Sequence, residues 1–118
     1  MRVMVFVKAT EDSEQGLPPA EEMSGMLEEM GRFNEELVAA GVMLGGDGLK
    51  PSSAGKRVAF DGPNRTVIDG PFAEAKEMIG GFFMLTCETE KEAIEIASAC
   101  PAAEWCEVEV RKIAPCWV

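Results

Sequence analysis

Val3-Met4-Val5-Phe6-Val7 and, far along the chain, Gly81-Phe82-Phe83-Met84-Leu85-Thr86-Cys87 decide the fold. Both runs are β-branched and aromatic, too short for a stable helix, and bounded by polar residues or glycine, so both read as strands. Side chains alternate between the two faces of a strand. Val3, Val5 and Val7 therefore share one face and Met4 and Phe6 the other, while Phe83 and Leu85 oppose Phe82 and Met84. Each strand is apolar on both faces, and a sheet centred on such strands needs a covering layer on each side.

The segments between and around these strands supply one of those layers. Met23, Met26, Leu27, Met30, Phe33, Leu37 and Val38 recur at three- and four-residue steps, with Glu21, Glu22, Glu28, Glu29, Arg32, Glu35 and Glu36 on the opposite side. That is an amphipathic helix, predicted over 19–40. Pro18-Pro19 suits its first turn, Glu21-Glu22 its positive end, and Gly41 a left-handed cap. Val42-Met43-Leu44 restarts as a strand and runs into Gly45-Gly46-Asp47-Gly48-Leu49, read as a turn or bulge; Pro51-Ser52-Ser53-Ala54-Gly55 reads as a loop. Lys56–Asp61 and Arg65–Ile68 form a hairpin joined by Gly62-Pro63-Asn64. Thr89 with Glu92 makes a capping box that opens a second helix, carrying Ala93, Ile94, Ile96, Ala97 and Cys100 and ending before Pro101. Cys106, Val108 and Val110 alternate with Glu107, Glu109 and Arg111, a strand with one wet face.

With the hairpin set aside as an insertion, the order is β-α-β-β-α-β. This predicts an α+β ferredoxin-like sandwich, a single domain over 1–118 with both helices on one side of an antiparallel sheet. Two helices cover one face only. The second apolar face predicts a homodimer in which two sheets pack face to face across a two-fold axis.

A chain of 118 residues fits one domain and buries enough surface to fold without a disulfide or metal staple. Its formal net charge of −10 opposes direct nucleic-acid binding and attachment to anionic membranes. Histidine and tyrosine are both absent, which removes imidazole-based nucleophile pairs and leaves Asp, Glu, Lys and Cys for proton chemistry. The four cysteines, Cys87, Cys100, Cys106 and Cys116, include no Cys-x-x-Cys pair, so the expectation is no metal and no cofactor. They read as small buried hydrophobes, and the negative end of the helix dipole should raise the Cys100 thiol pKa. The N-terminal apolar run is too short for a signal peptide and nothing approaches a membrane span, so the expected compartment is the cytoplasm.

Asp69-Gly70-Pro71-Phe72-Ala73-Glu74-Ala75-Lys76-Glu77 concentrates three acids and a base beside a rigid turn, just ahead of a buried strand. One reading is bracing: Asp69 caps a turn begun by Pro71, Gly70 supplies the bend and Phe72 anchors it. The other is chemical. A turn holding Asp69 and Glu74 at the mouth of a cavity between paired sheets would raise their pKa values for proton exchange, with Lys76 as charge partner or anion anchor. Gly45-Gly46-Asp47-Gly48 lacks the phosphate-loop pattern and precedes no helix.

The segment Asp69 to Glu77, followed by Gly80-Gly81-Phe82-Phe83, resembles the signature of the DGPF branch of the YCII-related family. Glu36-Leu37 to Ala40-Gly41-Val42, Gly48-Leu49-Lys50-Pro51 and Ala99-Cys100-Pro101-Ala102-Ala103 with Val108-Glu109-Val110-Arg111 resemble its other recurrent stretches, and Ala75 replaces the commoner threonine. The resemblance implies a ferredoxin-like fold and a dimeric α+β barrel. Related proteins use a His with an Asp in a cleft, and one is a dehydrochlorinating lyase on a chlorinated aromatic compound. With no histidine here, only the motif residues carry over. The resemblance also implies a regulatory association, since genes of this branch often lie near alternative sigma factors.

Three expectations follow. The first is a small-molecule binding protein for an anionic ligand, extending to a lyase- or isomerase-type enzyme, with Asp69 and Glu74 as acid/base groups and Lys76, Gly70, Pro71 and Phe72 binding the ligand. The second is a non-catalytic regulatory partner of an alternative sigma factor system, its acidic surface meeting a basic protein patch. The third is a structural dimer module.

Overall fold

The computed structural model describes residues 1–15, 20–72, 78–104 and 106–114. Strand β1 (Arg2–Lys8) is followed by a one-turn helix α1 (Glu11–Glu14), the long helix α2 (Ala20–Ala39) and strand β2 (Met43–Gly48). The hairpin β3 (Lys56–Asp61) and β4 (Asn64–Asp69) comes next, then β5 (Ile79–Thr86), α3 (Glu90–Ala99) and β6 (Val108–Lys112). Four strands form one sheet in the order β2-β5-β1-β6, with every neighbouring pair antiparallel, and β3-β4 form a separate two-stranded sheet. The architecture is α+β, and the two strands apolar on both faces, β1 and β5, are the two central ones.

Local chemistry sets the boundaries. Helix α2 ends in a Schellman arrangement: Val42 N–H donates to the Leu37 carbonyl at 3.1 Å and Gly41 N–H to that of Val38 at 3.0 Å, with Gly41 left-handed at φ 76°. The helix start at Pro18-Pro19, and the side chains of Glu21 and Glu22, lie outside the described residues. At α3, Glu92 N–H donates to Thr89 Oγ1 at 3.2 Å, and the Glu92 carboxylate accepts from Glu88 N–H at 3.2 Å, so the capping box reaches one residue further back than its simplest form.

Three details go beyond the sequence reading. Of the turn or bulge expected at Gly45-Gly46-Asp47-Gly48, the bulge is present, and these residues run on as strand. A bulge between Met43 and Gly45 opens it, and Gly46 then lies so close to β5 that a Cβ there would sit 2.6 Å from the Phe82 carbonyl oxygen. Pro51–Gly55 contains a 3-10 turn at Ser52–Ala54. Helix α1 was not foreseen; Thr10 and Ser13 cap it reciprocally, Thr10 N–H donating to Ser13 Oγ at 2.8 Å and Ser13 N–H to Thr10 Oγ1 at 3.1 Å.

The core lies on one face of the large sheet. Val3, Val5, Phe83 and Leu85 pack there with Ala93 and Ala97 of α3 and with Cys100 and Ala102 beyond it, while Met30, Phe33 and Leu37 of α2 close over them. Phe33 meets Phe83 edge to face with ring centres 5.8 Å apart. Both helices therefore cover the same face. The molecule measures 46 × 42 × 18 Å, and its short axis has room for one sheet and one helix layer.

The other face has no covering layer among the described residues. Register sets Met4 opposite Met84 and Phe6 opposite Phe82, an apolar band along β1 and β5 that stays half-buried. Its flanks are charged. Asp47 of β2 faces Phe82, and Glu109 and Arg111 of β6 face Phe6 and Met4.

Candidate functional site

The motif loop leaves the hairpin at Asp69, which the β3-β4 register sets opposite Lys56. Lys56 Nζ lies 2.5 Å from Asp69 Oδ1, and both side chains are largely exposed, at 63% and 75%. Within the single chain the Asp69 side chain is exposed, and it pairs with Lys56 across the hairpin. Glu74 and Lys76 lie outside the described residues. The turn that Asp69 was expected to cap, beyond Phe72, lies outside the described residues as well.

Gly70 to Phe72 are held against the Ser52 turn. Gly70 N–H donates to the Gly55 carbonyl at 3.0 Å, the Gly70–Pro71 peptide is cis, and Phe72 N–H donates to Ser52 Oγ at 3.1 Å. Gly70 has no room for a side chain, because a Cβ there would fall 1.7 Å from the Ser52 carbonyl oxygen. The Arg57 guanidinium stacks over the Phe72 ring, 3.9 Å from its centre.

Ser52 in turn is gripped by Glu14. The Glu14 carboxylate accepts from Ser52 N–H at 3.1 Å and from the Ser52 hydroxyl. The Thr10–Ser13 cap sets the turn that presents Glu14, so three loops, after β1, after β2 and after β4, converge on one hydroxyl. Sequence reasoning missed Glu14 and Ser52. Their only early signal was the acid run Glu11-Asp12-Ser13-Glu14 directly after a buried strand. Ser52 Oγ spends its proton on a carboxylate and accepts from an amide. A hydroxyl so engaged positions the loop rather than attacking a substrate.

The cluster lies at the end of the sheet where β1 and β2 stop and β5 starts, since Gly48 pairs with Gly81 and Lys8 with Ile79. On the open face, that same end carries Phe6, Phe82, Asp47 and the Lys8–Glu109 ion pair at 3.0 Å. Hydrogen bonds from Lys8 and Arg111 hold the Glu109 carboxyl below its ordinary pKa. Arg111 also reaches over the Phe6 ring at 5.7 Å. The result is an apolar floor with a mixed-charge rim at the sheet end near the hairpin base, where Asp69, Lys56 and Arg57 supply carboxylate, ammonium and guanidinium groups.

A shallow groove of about 540 Å³ opens on the helix side, between α2 and the end of α3, lined by Glu29, Arg32, Glu36, Ser98, Pro101 and Glu104. It contains no motif residue, and its floor includes Cys100, whose thiol pKa is raised. The main cause of that rise is burial, with the Ala102 and Ala103 amides acting the other way, so the expected helix-dipole explanation gives way to desolvation. Burial likewise raises Cys87 and Cys106, which makes these three thiols packing groups rather than nucleophiles. Cys116 lies outside the described residues. No helix among the described residues is long and apolar enough to cross a membrane.

The family model described as the YCII-related domain matches residues 1–116. An uncharacterized protein of Rhizobium meliloti is 30% identical over 77 residues, covering 65% of this chain and 62% of that protein, so the match spans about three fifths of the relative's length. Among solved structures, 5-chloro-2-hydroxyhydroquinone dehydrochlorinase from Burkholderia phenoliruptrix, in complex with 2,5-dihydroxybenzoquinone, superposes with a TM-score of 0.53. That alignment covers 97% of this chain and 94% of the enzyme at 14% identity, a likeness of fold.

Proposed function

Because the chain belongs to the YCII-related domain family, we propose that it is a small-molecule binding protein acting as a homodimer, with the open sheet faces of two copies stacked into a ferredoxin-like, dimeric α+β barrel. One observation carries this reading: the half-buried band Met4, Phe6, Phe82 and Met84 is apolar at its centre, charged at its rim and adjacent to the motif loop. Removing such a band from water is the driving force for stacking, and the space left at the sheet end is where a ligand would sit. Lys56, Arg57 and Lys76 favour an anionic ligand. The fold neighbour's substrate is a chlorinated hydroxyhydroquinone, and an acidic hydroxyaromatic compound is the class to test first. Without histidine, proton transfer on such a ligand falls to carboxylates, with Asp69 and Glu74 as the acid/base pair of a lyase- or isomerase-type reaction.

The contacts of Gly70 and Phe72 with Ser52 favour a second role for the same motif, bracing the entry to β5. The two roles separate experimentally. Sedimentation of the purified protein is expected to give a dimer at micromolar concentration, and thermal-shift titration with 2,5-dihydroxybenzoquinone and related hydroxyaromatic anions to raise Tm. Asp69→Ala and Glu74→Ala should abolish that rise while lowering the unliganded Tm little, because an exposed ion pair such as Lys56–Asp69 contributes about 0–1 kcal/mol. Full binding with a clearly lowered Tm would make the motif a brace, and a monomer would end the barrel reading.

A further inference from the structure

The hairpin β3-β4 leaves the body at the motif end and packs chiefly on itself. In its register Val58 pairs with Val67 and Phe60 with Arg65, on the same face as Lys56 and Asp69. On that face Val58 is 64%, Val67 61% and Phe60 77% exposed. The opposite face turns inward only at its base, where Arg57 meets Phe72. An isolated two-stranded hairpin is marginal in water, and one that shows three large apolar side chains to solvent needs a surface to rest on.

Charge identifies that surface. The hairpin, residues 56–69, holds three of the eleven Lys and Arg (Lys56, Arg57 and Arg65) and two of the twenty-one acids (Asp61 and Asp69), a net +1 that leaves the rest of the chain at −11. An apolar arm of slight positive charge on a strongly acidic body is complementary to a second copy of that body. A two-fold arrangement satisfies both arms at once. A polyanion such as a nucleic acid would meet the arm's charge but be repelled by everything behind it.

We infer that the β3-β4 hairpin is a reciprocal dimer arm, its Val58, Phe60 and Val67 face docking on the acidic body of the second copy. This rests on the homodimer reading above and deepens it. The arm springs from the sheet end where the open faces would stack, so it extends that interface and carries Lys56 and Asp69 to the partner. Each ligand site would then be completed by the other subunit.

The test is sedimentation equilibrium of the wild type and of the combined variant Val58→Thr, Phe60→Thr, Val67→Thr, which keeps strand propensity and removes apolar surface. Unchanged far-ultraviolet circular dichroism would establish that the variant folds. The expected result is a dimer dissociation constant raised roughly tenfold or more. A second variant, Lys50→Glu with Arg65→Glu, leaves Val58, Phe60 and Val67 themselves unchanged and is expected to weaken the dimer in the same direction, with the wild-type dimer loosening as salt is raised. A wild-type dimer whose affinity neither variant changes would overturn the arm and leave sheet stacking intact. A wild-type monomer would overturn both.

Discussion

The two faces of the large sheet are made by the same two central strands, and they differ in what lies over them. On the inner face Val3, Val5, Phe83 and Leu85 are wholly or almost wholly buried beneath α2 and α3. On the outer face Met4, Phe6, Phe82 and Met84, one residue out of step along the same backbone, remain half-exposed. Composition does not separate the two rows, since both are large and apolar. The inner row holds the single chain together; the outer row is the one that the proposed homodimer would cover. The hairpin extends that contrast, with apolar side chains that its own chain leaves in solvent.

The sharpest way to break this comparison is one substitution on each face. Leu85→Ala removes a fully buried side chain beneath the helices and should cost about 2–5 kcal/mol in urea denaturation. Met84→Ala, its sequence neighbour on the outer face, should cost much less at high dilution, and on the proposed homodimer its effect should grow with protein concentration. Equal losses at every concentration would show that the outer face is already core.

A second variant probes the motif end. Gly70→Ala must push the Ser52 turn aside and should lower stability by about 1–3 kcal/mol, the usual cost of forcing atoms into a filled space. Thermal denaturation checks this, and because Ser52 also bonds Glu14, the loss should spread to α1 as faster amide exchange there.

The smallest effect is a pH dependence on the outer face's rim. The Glu109 pKa is lowered in the folded protein by Lys8 and Arg111, so the stability it contributes is present above the ordinary carboxylate pKa and is lost as pH falls through that value toward the folded one. Glu109→Gln should therefore flatten the acid side of the stability profile slightly. A variant profile that stays parallel to the wild type down to acid pH would mean the two cations do not stabilise this carboxylate.

The legible parts of the molecule were those written in local periods. A helix predicted over 19–40 is found at Ala20–Ala39, the Thr89 capping box and the hairpin arms are where their spacing put them, and the doubly apolar strands are the central ones. Alternation and capping act over a few residues and can be read one window at a time. The candidate site is different. Glu14 meets Ser52 across 38 positions, and Asp69 meets Lys56 across 13, contacts that exist only once loops converge and the hairpin's register is set. The pairing of Asp69 with Lys56 follows from the hairpin's register, which nearness along the chain does not reveal.

The β1-β5 pair has a consequence for how this protein comes off the ribosome. Arg2 pairs with Thr86 and Lys8 with Ile79, so the two central strands are separated by most of the chain, whereas β3 and β4 are joined by a two-residue turn. Closing the long loop must precede any reward from its contacts, which makes the central pairing a slow and late event. During synthesis β1 and the apolar side of α2 emerge before β5 and wait, uncovered, until it has been made. The hairpin can close meanwhile on its own. For the growing chain the hazard of premature aggregation therefore sits in β1 and α2, where chaperone protection would matter most.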